Sequence, residues 1–479
     1  MKLLPFDFDR IDINHILITN ISGESSIMDK IEFEALCNED FEWIADTKLN
    51  ELIAKNFLTP DESLALSIDL LANKLRSRKD YLRYFTSLHM IVLTLRCNCM
   101  CSYCHASSKA GIDDKSYDMD ELTARNTVDI IFLSPSPSIK IEFQGGEPTL
   151  NFDILEFIVL YAEKLNQKYK KELSFVVCTN LLDLSDYQLD FLFKHKVDIS
   201  TSCDGDKRLH DCCRKSLVSE SAYDTFIKNL KRCRKIYGED GPAALLTVTR
   251  NNLGSLNKVI DHYIELGFNN IFIRSLNPYG YAVDNKVQLG YSVEDFVFAY
   301  RKALAYIIDI NLQGKFFVES YATILLQRIL TPFTTGFVDL QSPTGAGILG
   351  SIYYYNGDVY PADEGRMLAA RGDKTFYMGN VKQSSYNDIF NGKLIHKIVK
   401  NSCVECMPIC EQCAYKSYCG ADPIRYYVES GDIIGKRYNS SFCEKNKAII
   451  EEIFRYLNMN DPKILKVFWS WINRKPLEV

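Results

Sequence analysis

The chain has 479 residues, room for about three domains at roughly 150 residues each. Lys plus Arg number 56 against 62 Asp plus Glu, a net charge of −6, so no basic stripe is available for phosphate contacts and nucleic acid is not an expected partner. With 47% apolar and 25% charged residues the mixture is that of a globular protein, which excludes disordered and collagen-like chains.

Taken in chain order, residues 1–85 begin with strand-like segments, His15 to Thr19 among them, joined through the turn Asn20-Ile21-Ser22-Gly23. Asp29 can cap a helix over IEFEALC, and DTKLNELIAKNFL has the i, i+3/i+4 apolar spacing of an amphipathic helix. Pro60-Asp61-Glu62 then opens a longer helix reaching about Tyr81. Acidic residues appear at once in MKLLPFDFDR, which therefore lacks the apolar stretch of a secretory signal. No apolar run approaches the ~20 residues of a membrane span. A soluble, cytoplasmic chain with no membrane partner is expected.

Residues 86–275 alternate strands and helices with a regular beat. Strands are expected at HMIVLTL (89–95), SIKIEF (138–143), LSFVVC (173–178), VDISTS (197–202), ALLTVTR (244–250) and NIFIRS (270–275). Helical patterns lie between, as in FDILEFIVLYAEKLNQ and SLNKVIDHYIELGF. Such alternation implies right-handed βαβ units and a parallel sheet, closed or partly closed as a barrel, with an open doubly wound sheet as the alternative. Residues 276–335 read as a helical bridge, with helices at about 293–310 and 321–330. Residues 336–479 carry Gly- and Tyr-rich strands around SIYYYNGDVYPADE, a cysteine-rich segment, and closing helices near 444–458 and 462–473.

Of the sixteen cysteines, four lie between Cys97 and Cys104, five between Cys403 and Cys419, and Cys443 follows. Two clusters in a large chain without a signal read as metal ligands rather than a disulfide framework. Cys97-x3-Cys101-x2-Cys104 directly follows the first strand of the alternating region. Three thiolates on one short loop can hold three irons of a four-iron cluster and leave the fourth open for a small molecule. A zinc knuckle is the competitor, although zinc favours four ligands. The second strand ends in Phe143-Gln144-Gly145-Gly146-Glu147-Pro148, where two glycines allow close approach to the backbone and Glu147 offers an acceptor for an ammonium group.

CxxxCxxC with Tyr103 before its last cysteine, followed one βα unit later by GGEP, resembles the radical S-adenosylmethionine superfamily. That resemblance implies a partial (β/α)6 TIM-like barrel, a [4Fe–4S] cluster on Cys97, Cys101 and Cys104, and S-adenosylmethionine chelated to its open iron. It further implies that Gln144, Gly145, Gly146 and Glu147 line the methionine end of the cofactor, with Ser202 and Arg214 as further contacts. Reductive cleavage would yield a 5′-deoxyadenosyl radical, the cofactor carrying the hard chemistry.

Cys410-x2-Cys413-x5-Cys419 with Cys443 resembles the end of the SPASM extension of peptide-modifying radical enzymes. Complete SPASM domains hold two auxiliary clusters, but Tyr360-Pro361-Ala362 and Pro423 stand where further cysteines would be. One auxiliary [4Fe–4S] cluster is therefore expected, with zinc as the competing metal and Cys403 or Cys406 as alternative ligands. Asp363 matches a position at which sulfatase-maturing members carry a catalytic base.

Longer stretches, among them LPFDFDRID, SPSPSIKIEFQGGEPTLNF and CAYKSYCGADP, resemble the radical maturases of His-Xaa-Ser repeat peptide systems. This implies a His-Xaa-Ser repeat precursor peptide, a second radical maturase and a flavodoxin- or ferredoxin-type electron donor as partners. Residues 1–85 would then be a winged-helix-like peptide-recognition domain that binds a leader by strand addition. A formylglycine-generating protein oxidase and a non-enzymatic metal-binding delivery module are the alternatives.

Overall fold

The computed structural model describes residues 1–477. The chain divides into two compact units, one of Met1–Arg83, Tyr321–Gly345 and the chain from Ile398 onward, the other of Tyr84–Ser320 and Ala346–Lys397. Parts of the stretch 336–479 fall in each unit, and residues 1–83 belong to the first.

The first unit opens with an antiparallel sheet of β1 (Asp7–Arg10), β2 (His15–Thr19) and β3 (Ser25–Asp29). The β2–β3 turn is the one expected, and Gly23 at its end takes a φ of +76° that suits glycine. Ile16, Ile18 and Met28 face Phe33, Leu36, Leu52 and Phe57, so the apolar stripes of the helices Lys30–Asn38 and Asp46–Ala54 close this small core. Contacts far apart in sequence fuse it to the cysteine-rich segment. Thr19 Oγ1 donates to Ala414 O (2.6 Å), Lys416 pairs with Asp7 (2.6 Å) and Tyr418 OH donates to Gly23 O (3.1 Å). Arg78 reaches the same turn and also Arg328 O (2.7 Å), while Arg328 donates to Tyr418 O (3.0 Å).

On the outer side of β3, Lys48 donates to Ile27 O (3.0 Å) and Lys55 to Ser25 O (2.7 Å), so lysines cover the free strand edge. Both lysines also hold Glu51, at 2.7 Å each. Burial opposes the Glu51 charge, but the two lysine contacts outweigh it and bring its pKa down to about 2. The stabilisation is full above the ordinary carboxylate pKa near 4.5 and is lost as the pH falls from there towards 2. Glu51→Gln should cost about 1–2 kcal/mol at pH 7 after allowance for solvent screening, and denaturant melts of the two proteins should converge at acid pH.

In the second unit the six expected strands all form: β4 (Leu88–Thr94), β5 (Ser138–Gly145), β6 (Glu172–Cys178), β7 (Val197–Ser202), β8 (Ala243–Thr247) and β9 (Asn270–Arg274). Each pairs in parallel with the next in order, as βαβ crossovers require. Apolar runs such as Ile91, Val92 and Leu93 are wholly buried because helices cover the sheet. The sheet continues beyond the six. β10 (Val318–Glu319) adds in parallel to β9, and β11 (Gly350–Tyr353) adds in parallel to β4, followed antiparallel by β12 (Asp358–Tyr360) and β13 (Gly379–Asn380). The ten-strand order ends in β10 on one side and β13 on the other, a partial barrel that does not close.

His89 joins β11 to the barrel. Its Nδ1 lies 3.1 Å from Tyr353 OH and its Nε2 3.0 Å from Thr86 O. Burial pushes its pKa down to about 3, so the neutral ring donates from Nε2 and accepts at Nδ1. No helix among the described residues is long and apolar enough to cross a membrane.

Candidate active site and cysteine centres

The loop after β4 is held at both ends before any cysteine is considered. Arg96 grips Asp118 in bidentate fashion (2.8 and 2.7 Å) and also donates to Leu150 O (2.8 Å). Arg96–Cys97 pairs in parallel with Lys109–Ala110, and Cys99–Cys101 pairs antiparallel with Arg214–Ser216. Asn285 donates to Ser102 O (2.7 Å) and Tyr281 N to Cys104 O (2.9 Å). Cys97, Cys101 and Cys104 thus sit on one braced loop at the carboxyl end of a barrel strand, where such folds place their chemistry.

The three thiols lie within one another's electrostatic reach. Burial pushes Cys97 and Cys104 up, with Glu147 adding to the effect at Cys97. Cys101 is lowered, first by the hydrogen bond with Cys99 (Sγ–Sγ 3.6 Å) and also by the Arg214 guanidinium. Among the described residues no three His, Cys, Asp or Glu side chains are closed around one point at metal-ligand distance. The donor set nevertheless fits iron: three free, partly exposed thiols on a fixed loop.

The GGEP turn has a tighter reason for its glycines than ligand approach. A Cβ on Gly145 would lie 2.6 Å from Thr94 O, and one on Gly146 would lie 2.0 Å from Arg96 O. What comes close is the chain's own backbone, for Gly146 N donates to Thr94 O and Glu147 N to Arg96 O (2.8 Å each). Glu147 is wholly buried and already used. Its Oε1 accepts from Thr149 Oγ1 (2.8 Å) and Thr149 N (3.2 Å), its Oε2 from Asn180 N (2.8 Å). These bonds make the side chain an organiser of the turn and of the end of β6. Gln144 donates to Glu142 (2.7 Å), and Ser202 is half-buried at the end of β7.

Arg214 is buried. Its Nε donates to Asp204 Oδ2 (2.9 Å), its Nη1 lies 3.9 Å from Cys101 Sγ, and its guanidinium lies over the ring of Tyr103, whose hydroxyl donates to the same Asp204 oxygen. Asp204 and Asn180 were not picked out from the sequence. Asn180 donates to Asn98 Oδ1 (2.8 Å) and reaches Cys97 Sγ at 4.0 Å. Both directly follow barrel strands on the carboxyl side, and that position is the signal that would have found them.

Asp363 begins the helix Asp363–Ala369 and accepts from Arg366 Nε (2.6 Å). Arg366, wholly buried, donates in turn to Ala106 O (3.1 Å) in the loop after Cys104. One arginine thus ties the candidate base to the cysteine loop.

In the other unit, Cys410, Cys413, Cys419 and Cys443 are mutual electrostatic neighbours. Burial pushes Cys413 to about 11 and Cys419 to about 12, the other thiols adding to both, so metal binding here must displace protons. Gly420 lets the segment pass against Asp339 O, where a Cβ would lie at 2.3 Å. Cys403 has Lys79, Glu405 and Cys406 about it, and the turn Val404–Cys406 packs against the turn Cys410–Gln412. Pro423, where a further cysteine was sought, opens the helix Pro423–Ser430 behind its cap Asp422.

A profile of the radical SAM superfamily matches residues 91–263, and one for the SPASM iron–sulfur cluster-binding domain matches 352–414. The chain carries a radical SAM domain with a SPASM extension. Among curated proteins, an uncharacterized protein of Methanocaldococcus jannaschii is 30% identical over 193 residues, 40% of this chain and 63% of that protein. A probable GTP 3′,8-cyclase of Sulfurisphaera tokodaii is 26% identical over 193 residues, 40% of this chain and 56% of that one. The match therefore spans less than two thirds of either relative. Among solved structures, native anSMEcpe with bound AdoMet superposes with a TM-score of 0.63 at 20% identity, covering 78% of this chain and 98% of that one. Streptococcus suis SuiB bound to its precursor peptide SuiA gives 0.53 at 15%, covering 92% and 100%. At these identities the likeness is one of fold, and it extends over the radical SAM domain and its extension together.

Proposed function

We propose that this chain is a radical S-adenosylmethionine enzyme that modifies a ribosomally made precursor peptide of the His-Xaa-Ser repeat kind. The observation that carries the radical reading is the placement of Cys97, Cys101 and Cys104 on one braced loop locked to GGEP. When bound, the cluster and S-adenosylmethionine supply a 5′-deoxyadenosyl radical that abstracts hydrogen from substrate. The chain's own residues do the rest. Cys97, Cys101 and Cys104 hold three irons. Gln144, the Gly145–Glu147 turn and Ser202 shape the cofactor end of the barrel. Cys410, Cys413, Cys419 and Cys443 hold the auxiliary cluster. Asp363, a quarter exposed and steadied by Arg366, takes the proton that the substrate loses.

The peptide substrate is supported by the fold shared with SuiB, which was solved with its precursor bound. The repeat specificity rests on the sequence resemblance, as do a second maturase and a flavodoxin- or ferredoxin-type donor as partners. A leader strand adding to β3 would have to displace Lys48 and Lys55 from the Ser25 and Ile27 carbonyls. Anaerobic incubation of reduced holoenzyme with S-adenosylmethionine, partner maturase and precursor should change the precursor's mass and release 5′-deoxyadenosine. Deoxyadenosine without any change in the peptide would refute the substrate. Asp363→Asn should keep deoxyadenosine release while lowering modified peptide about 100-fold; equal loss of both would remove its role as base.

A further inference from the structure

Each cysteine centre has an arginine at a ligand sulfur, but the two arginines differ in their counter-charge. Arg214, near Cys101, is paired with the fully buried carboxylate of Asp204. Arg437, near Cys410, is 3% exposed, and its Nη1 donates to Cys410 Sγ at 3.4 Å. Its Nε and Nη2 are buried with no hydrogen-bond partner, and among the described residues no carboxylate pairs with it. Its guanidinium lies over Tyr426, 4.6 Å from the ring centroid, and Tyr426 is itself packed edge-on against Phe442. Cys443 also lies within its electrostatic reach.

A buried guanidinium with two idle donors is costly unless something anionic faces it. Four thiolates around a metal centre carry net negative charge, and a cluster adds sulfides that accept hydrogen bonds. We infer that Arg437 is a positioning and tuning residue of the auxiliary centre, supplying its buried counter-charge and raising its reduction potential. Hydrogen bonds and positive charge at cluster sulfurs favour the reduced state, and low dielectric strengthens both effects. At Cys101 the same device is neutralised by Asp204, which leaves that centre at the lower potential that reducing a sulfonium demands. The chain thus biases its auxiliary centre towards accepting electrons. This inference rests on reading Cys410, Cys413, Cys419 and Cys443 as ligands of an iron–sulfur cluster.

The test uses full-length, anaerobically reconstituted protein in which Cys97, Cys101 and Cys104 are alanine, so that only the auxiliary cluster contributes. Iron content and spectroelectrochemical midpoint potential are read for Arg437, Arg437→Lys, Arg437→Gln and Arg437→Met. The expected result is a shift to lower potential in Arg437→Met and Arg437→Gln at unchanged iron, with Arg437→Lys recovering most of it. Unchanged potential in Gln and Met proteins that retain their cluster overturns the inference. Where Met does not fold, the Lys–Gln pair decides in the same way. Cluster loss in every variant, Lys included, assigns Arg437 a purely structural role and also overturns it. Zinc instead of iron in the Arg437 parent refutes the iron–sulfur reading of these four cysteines and takes the inference with it.

Discussion

Replacing Cys97, Cys101 and Cys104 together by alanine is expected to lower bound iron from about eight to about four atoms per chain after anaerobic reconstitution. Release of 5′-deoxyadenosine should disappear with it. The loop should survive, because what shapes it is not the thiols. The Arg96–Asp118 bidentate pair holds its stem, and strand pairing to Lys109–Ala110 and Arg214–Ser216 holds its flanks. The loss is therefore chemical, and thermal unfolding should move little. Four irons remaining show a second cluster away from this loop, expected on Cys410, Cys413, Cys419 and Cys443. A wild type with about four irons and one zinc would keep the radical head and make the auxiliary site structural. A triple variant that keeps all its iron would show that this loop binds none, and the radical reading would fail.

How far the sequence carried this reading depends on how local each signal is. The six barrel strands were legible because a parallel strand covered on both faces is a continuous apolar run, as in Ile91 to Leu93, flanked by helical periodicity. β10 is two residues long and offers no period to detect. The placement of β11 beside β4 is a pairing across some 260 residues, Ile352 opposite Met90, that periodicity cannot encode. The same holds for the unit that joins β2 to the cysteine-rich segment through Thr19 and Ala414. At the site, CxxxCxxC and GGEP are spacings within a few residues and were read directly. The hydrogen bonds by which Glu147 holds Thr149 and Asn180 were not, because those partners lie outside the motif. The pairing of Arg214 Nε with Asp204 was likewise not legible from the motif. Arg437 escaped notice altogether, since nothing in its neighbourhood along the chain hints at Cys410.

Gly146→Ala is expected to destabilise the second unit by about 3 kcal/mol and to abolish cluster retention at the radical head, although it adds one methyl group far from any cysteine in sequence. The added Cβ would lie 2.0 Å from Arg96 O and 2.6 Å from Leu95 O, both rigid backbone atoms of the cluster-loop stem. No flexible side chain is there to yield, so the backbone itself must part. Parting breaks the Gly146 N to Thr94 O and Glu147 N to Arg96 O bonds and leaves buried polar groups unpaired. Glu147 would shift with them, loosening its hold on Asn180 and so on the end of β6 beside Cys97. Urea unfolding followed at the second unit should show the loss, with iron falling to the level of the triple cysteine variant. Gly254→Ala is the matched control, since a Cβ there meets nothing within 4 Å. If Gly146→Ala melts like that control and keeps its iron, the turn is held open for a ligand rather than closed against the loop.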